Sequence, residues 1–152
     1  MMNYKIITLI SFIFLVGCGF NSSLNYSSNF SIENVISIGD KNINDNILSN
    51  LANYRNNSNE EKKYYLKINS AENRKVTSKD TKGNPKTFRI EIKTIIEVSD
   101  INNQVHKKEF MEKKNYNTMS SKFDLGLYEK NTKKALAVIM ARNISIYLNS
   151  LN

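Results

Sequence analysis

A chain of 152 residues is the size of one domain, and an apolar fraction of 40% is enough for a modest core. A single cysteine excludes an internal disulfide and a thiolate cluster, and a single histidine, His106, excludes a histidine-rich metal centre. The net charge of +8 has two readings: an anionic partner, or the coding bias of an AT-rich genome, since Asn occurs 24 times and Lys and Ile 18 times each, but Arg only four times.

The chain opens with MMNYKIITLISFIFLVGC. Lys5 supplies a positive start, and residues 6–16 form an apolar run interrupted only by Thr8 and Ser11. Eleven residues are too few to span a bilayer, which takes about 20, but they suit the apolar region of a secretory signal. Leu15-Val16-Gly17-Cys18 resembles the bacterial lipobox. In that motif the thiol accepts a diacylglyceryl group, and the small residue before it leaves the scissile bond accessible. Residues 1–17 are therefore expected to be a lipoprotein signal peptide, with Cys18 the lipidated first residue of the mature chain. Each buried methylene of an acyl chain adds about 0.8 kcal/mol, so a multiply acylated cysteine anchors the chain stably without crossing the membrane. Residue 19 is Gly rather than Asp, which favours the outer membrane.

Residues 18–29 read as a flexible tether, rich in Asn and Ser from Asn21 to Asn29 with Leu24 and Tyr26 as the apolar exceptions there. Phe30, Ile32, Asn34, Ile36 and Ile38 alternate and predict a strand with these residues on its buried face. Ile43, Ile47, Leu48, Leu51 and Tyr54 then recur at helical spacing, with Asp40 or Asn42 available to cap the start. Tyr64, Leu66 and Ile68 begin a second strand, which leads through Arg74 to a turn-rich tip around residues 79–86. In the third strand Phe88, Ile90, Ile92, Thr94, Ile96 and Val98 share one face, and Arg89, Glu91, Lys93 and Glu97 share the other. After a turn at residues 100–103, residues 105–116 form a more polar fourth strand.

From Asp124 the period becomes helical, with Leu125, Tyr128, Ala135, Leu136, Ile139, Met140, Asn143, Ile146 and Tyr147 near one side. Ser121 to Asp124 reads as a cap, and Gly126 makes an irregular first turn expected. The order is β-α-β-β-β-α. It predicts a single α+β domain over residues 30–152, a four-stranded, mostly antiparallel sheet with two helices packed on one face.

No phosphate-binding glycine loop and no nucleophile–base constellation appears, and the scattered carboxylates read as solvated surface. The expectation is a protein that is not an enzyme and uses no cofactor apart from the covalent lipid. Basic residues remain. Arg74, Lys75, Lys79, Lys82 and Lys86 cluster at the second hairpin, Lys107, Lys108, Lys113 and Lys114 lie on the fourth strand, and Lys133 and Lys134 on the last helix. They are either ordinary surface charge or phosphate contacts on an anionic glycolipid. Nucleic acid is not an expected partner of an exported, lipidated chain.

Taken together, Leu15 to Phe20, the first strand with its helix, the Lys86–Val98 strand and the C-terminal sequence resemble the LPS-assembly lipoprotein family LptE. In the C-terminal sequence the resemblance is carried by Tyr116-Asn117, Ser121-Lys122-Phe123, Tyr128-Glu129 and the helix from Ala135 to Leu148. The Pro-Leu-Tyr common after Gly-Phe in that family is missing. The resemblance implies an outer-membrane lipoprotein that plugs and helps assemble the β-barrel LptD and assists lipopolysaccharide transport, with its domain facing the periplasm or the barrel lumen. Two further readings stand beside it: a generic periplasm-facing lipoprotein that scaffolds another envelope complex, and a small envelope hydrolase.

Overall fold

The computed structural model describes residues 29–57 and 60–151. The expected signal peptide (residues 1–17), Cys18 and all of the expected tether but residue 29 lie outside the described residues. Strand β1 (Phe30–Gly39) is followed by helix α1 (Lys41–Asn50) and a 3₁₀ turn (Ala52–Tyr54). Three long strands come next, β2 (Lys62–Lys79), β3 (Pro85–Ser99) and β4 (Val105–Asn117), and helix α2 (Lys122–Ser150) closes the chain. The four strands form one sheet in the order β1-β2-β3-β4. β1 and β2 run parallel, as a crossover through α1 requires, and the two later pairings are antiparallel hairpins.

Both hairpins turn on the same chemistry. Asp80 accepts backbone N–H bonds from Lys82 and Asn84, and Asp100 does the same for Asn102 and Gln104. The fourth residue of each loop, Gly83 or Asn103, takes the positive φ that such a loop demands. The side chain and N–H of Asn84, with the loop's other N–H groups, hold the exposed Asp80 carboxyl below its ordinary pKa. Gly39 is required in a different way. Its φ is +82°, and a Cβ there would run into the Ser70 carbonyl and the Asn69 side chain. The close approach lets Asp40 donate its N–H to Ser70 O at 2.8 Å and turn its side chain to cap α1 through the Ile43 N–H at 3.0 Å.

Both helices cover the same face of the sheet. Ile68, Ile90, Ile92, Ile96 and Val98 pack there under Ile43 and Ile47 of α1 and Met140, Ile144 and Leu148 of α2, all at most 3% exposed. The Ser70 and Thr94 hydroxyls satisfy one another within this core at 2.8 Å. The far end of α2 is pinned where the Leu151 carbonyl accepts from Lys62 Nζ (2.8 Å) and the Tyr64 hydroxyl (3.2 Å).

The sequence pattern misplaces parts of two elements. In β1, Phe30 and Ile32 are buried as expected, but a register shift between Ile32 and Asn34 inserts an extra residue and reverses the alternation. Val35 then faces the helices, while Ile36 and Ile38 are exposed on the opposite face. In α2 the buried stripe is Thr132, Leu136, Ala137, Met140, Ala141, Ile144 and Leu148. Ala135, Ile139 and Ile146 are exposed instead. The second half of this helix is apolar on several sides, so periodicity alone cannot select the packed one. Ala137 and Ala141, the small residues, are those that let α2 approach its neighbours closely. The first turn of α2 is regular despite Gly126, with Ser121 accepting from the Asp124 N–H at 3.2 Å.

Candidate binding surfaces

Beyond Ser70, β2 has no β1 partner and continues as a hairpin with β3 alone on that side. This extension carries the five cations singled out by sequence, and the structure divides them. On the covered face, the Arg74 guanidinium lies 4.0 Å over the Phe88 ring, and its Nε donates to Glu129 Oε1 at 2.9 Å and to the Tyr116 hydroxyl at 3.1 Å. Tyr116 in turn donates to Glu129 Oε1 at 2.6 Å, stacks on Phe88 and packs at a tilt against Tyr128. Burial, and then the hydrogen bond to the Glu129 carboxylate, push the Tyr116 phenol up to about 12. Arg74 is thus the centre of a latch joining the hairpin to α2, and Glu72–Lys133 at 2.8 Å adds a second tie one turn along. Both partners of Arg74, Tyr116 and Glu129, come from segments far away in sequence, so the local charge pattern shows a free cation at position 74.

Lys75 is on the opposite face, 4.0 Å from Glu91. Lys79, Lys82 and Lys86 stand exposed at the hairpin end, with no carboxylate partner among the described residues. The Asp80-centred loop holds the Lys82 backbone between the two strand ends, so these three lysines sit together at the tip of the hairpin.

No described element covers the second face of the sheet. Register places Lys63, Lys67, Lys75, Arg89, Lys93, Lys107 and Lys113 of β2, β3 and β4 there against Glu91, Glu97 and Glu109, seven cations to three carboxylates. Glu97 bridges Lys67 (2.9 Å) and Lys107 (3.3 Å), which hold its carboxyl below the ordinary range, Lys67 the more strongly. Lys93 pairs with Glu109 at 2.8 Å. Interspersed among them are exposed Ile36, Ile38, Tyr65, Val105 and Met111, so the face is cationic and partly apolar. β4 contributes Lys107 and Lys113 here, whereas Lys108 and Lys114 point to the helix side, a division that its alternation alone foretells. Among the described residues no cluster of His, Cys, Asp and Glu could hold a metal, and no helix is long and apolar enough to cross a membrane.

No family model and no curated protein sequence matches the chain. Its fold is that of a group of solved bacterial lipoproteins. Rare lipoprotein B from Shewanella oneidensis superposes with a TM-score of 0.62 at 11% identity, over 78% of this chain and 95% of that one. A minor lipoprotein from Acinetobacter baumannii gives 0.56 at 9% identity, over 78% and 91%. Lipoprotein B from Nitrosomonas europaea gives 0.55 at 12%, over 80% and 86%. At these identities the likeness is one of fold.

Proposed function

We propose that this chain is a non-catalytic lipoprotein, anchored in the outer membrane through lipid on Cys18, that partners the LptD β-barrel and handles lipopolysaccharide. The observation that carries the reading is the coincidence of two independent features: the fold of solved lipoproteins, and a sequence start that resembles a lipobox after an eleven-residue apolar run. Rare lipoprotein B, moreover, is a name used for the LptE family. The basic tip adds chemistry suited to the glycolipid. Lys79, Lys82 and Lys86 are free to make charge-assisted hydrogen bonds to phosphate, which are about twice as strong as neutral ones. Arg74, whose Nε–H is given to Glu129 and Tyr116 on the covered face, is not part of that tip.

The test is purification of the tagged chain from membranes in mild detergent, with mass identification of what remains bound. A stable complex with a large β-barrel is expected. Recovery of a different envelope complex supports the generic scaffold instead, and recovery of the lipidated chain alone refutes a stable barrel partner. Labelling with a palmitate analogue is expected in the parent and abolished by Cys18→Ala.

A further inference from the structure

The open face of the sheet has a direction. Register groups its exposed apolar residues at one end: Tyr65 shares a row with Val105, Ile36 the next row with Lys67 and Lys107, and Ile38 a third row with Ile95. Ile36, Ile38, Tyr65 and Val105 are between 44% and 64% exposed, an unfavourable state for so much apolar surface in water. Toward the hairpin tip the rows become cationic, with Lys113 opposite Glu91 and then Lys75 beside Arg89. Lys67, Lys93 and Lys107 lie within 3.3 Å of a carboxylate. Among the described residues, Lys63, Lys75, Arg89 and Lys113 have no carboxylate closer than 4.0 Å.

We propose that this face lies on an anionic phospholipid bilayer, its cations against headgroup phosphates and its apolar end in the interfacial layer. Charge selects the occupant. With seven cations to three carboxylates, the face repels a second copy of itself and attracts a surface of phosphates. Shape agrees with it. From Lys63 to Lys75 the strands run about 40 Å, and four strands side by side make a broad open surface rather than a cleft. Ammonium groups interspersed with apolar side chains suit a membrane interface, where both kinds of group find partners. The position of the anchor agrees as well. The first strand enters the sheet at the apolar end, where Phe30 pairs with Lys62. Residues 19–29 link Cys18 to Phe30, and eleven residues span at most about 38 Å, so lipid on Cys18 keeps that end within reach of the bilayer. The reach rests on the lipidation proposed above, whereas the charge and shape of the face do not.

The chain contains no tryptophan, so Tyr65→Trp places a single reporter on this face. The full chain is reconstituted into vesicles of phosphatidylcholine alone, or of phosphatidylcholine and phosphatidylglycerol in equal parts. In the anionic vesicles, blue-shifted emission and quenching by brominated lipid are expected. In the zwitterionic ones, emission stays solvent-like. Salt at about 1 M, where the screening length falls to about 3 Å, is expected to reverse the shift. So is the combination of Lys63→Gln, Lys75→Gln, Arg89→Gln and Lys113→Gln, which leaves three cations to three carboxylates and keeps the close pairs of Lys67, Lys93 and Lys107. If those four changes disturb the circular dichroism, the salt titration decides.

Solvent-like emission in the anionic vesicles overturns the proposal. So does an equal shift in both kinds of vesicle, or one that survives salt, since neither is made by charge. A shift in detergent that rises with protein concentration assigns the face to a second copy. A shift that appears only when a co-purified acidic protein is supplied assigns it to that protein, and either result overturns the proposal. The palmitate label reports the anchor and the tryptophan reports the face, so the two failures are told apart. Neither reading depends on the barrel partner.

Discussion

The two faces of the sheet are built from the same strands and differ in everything that governs energy. On the helix side, Ile90, Ile92, Ile96 and Val98 of β3 have no accessible surface at all. On the other side the same strand presents Arg89, Glu91, Lys93, Ile95 and Glu97, of which Glu91, Lys93 and Glu97 form cross-strand ion pairs that are at least partly solvated. Dispersion and loss of water contact hold the first face, and they act wherever volume is filled. Exposed ion pairs contribute about 0–1 kcal/mol each and weaken further with salt, so the second face adds little to stability. Dry apolar packing and solvated charge are thus separated by the two-residue period of a strand.

The sharpest way to break this comparison is a matched pair of truncations. Ile96→Ala, under the helices, is expected to destabilise by about 2–5 kcal/mol, because it opens a cavity in a dry core. Ile36→Ser, on the open face and 57% exposed, is expected to stay within about 0.5 kcal/mol. Urea denaturation measures both, and similar losses would mean that the open face is packed in solution.

A smaller effect is expected at the latch, where charge contributes on the covered side. Arg74→Met is expected to lose about 1–3 kcal/mol, as Tyr116 and Glu129 are left without their shared donor. Arg74→Lys should recover only part, since an ammonium lacks the flat guanidinium face that lies over Phe88. The same latch predicts a pH dependence. The Tyr116 phenol is raised from 10 to about 12 in the folded chain, so the protonated form is favoured by folding. Its contribution is complete below pH 10 and fades as pH rises through about 12. Denaturation midpoints from pH 9 upward should therefore fall more steeply in the parent than in Tyr116→Phe.

The smallest stability effect is expected at the tip. Replacing Lys79, Lys82 and Lys86 together with Glu should move stability by only about 0.5 kcal/mol per site or less. The same variant should lose lipopolysaccharide binding in a direct titration, and unchanged binding would remove the tip from the proposed site.

How much could be read before folding differs from element to element. β3 was legible throughout, because one face is wholly buried and an unbroken alternation records it. β1 was legible only to Ile32, because a bulge leaves no mark in the pattern when apolar residues stand at both phases, and Val35 and Ile36 do. The α2 stripe was obscured for a related reason: Val138, Ile139 and Ile146 are as apolar as the residues that pack. Of the basic cluster, the tip lysines and Lys75 were legible as surface charge. Arg74 was not, since its partners Tyr116 and Glu129 lie 42 and 55 positions away.

By itself the sequence determined the element order, both hairpin turns, both helix caps and the alternation that makes one face of the sheet apolar, because each depends on residues within a few positions of one another. The tertiary structure alone decided which side of α2 packs, where β1 changes face, which cation is locked into a latch and which three remain free. Those outcomes depend on side chains that meet across the fold, where packing volume and a distant carboxylate outweigh any local preference.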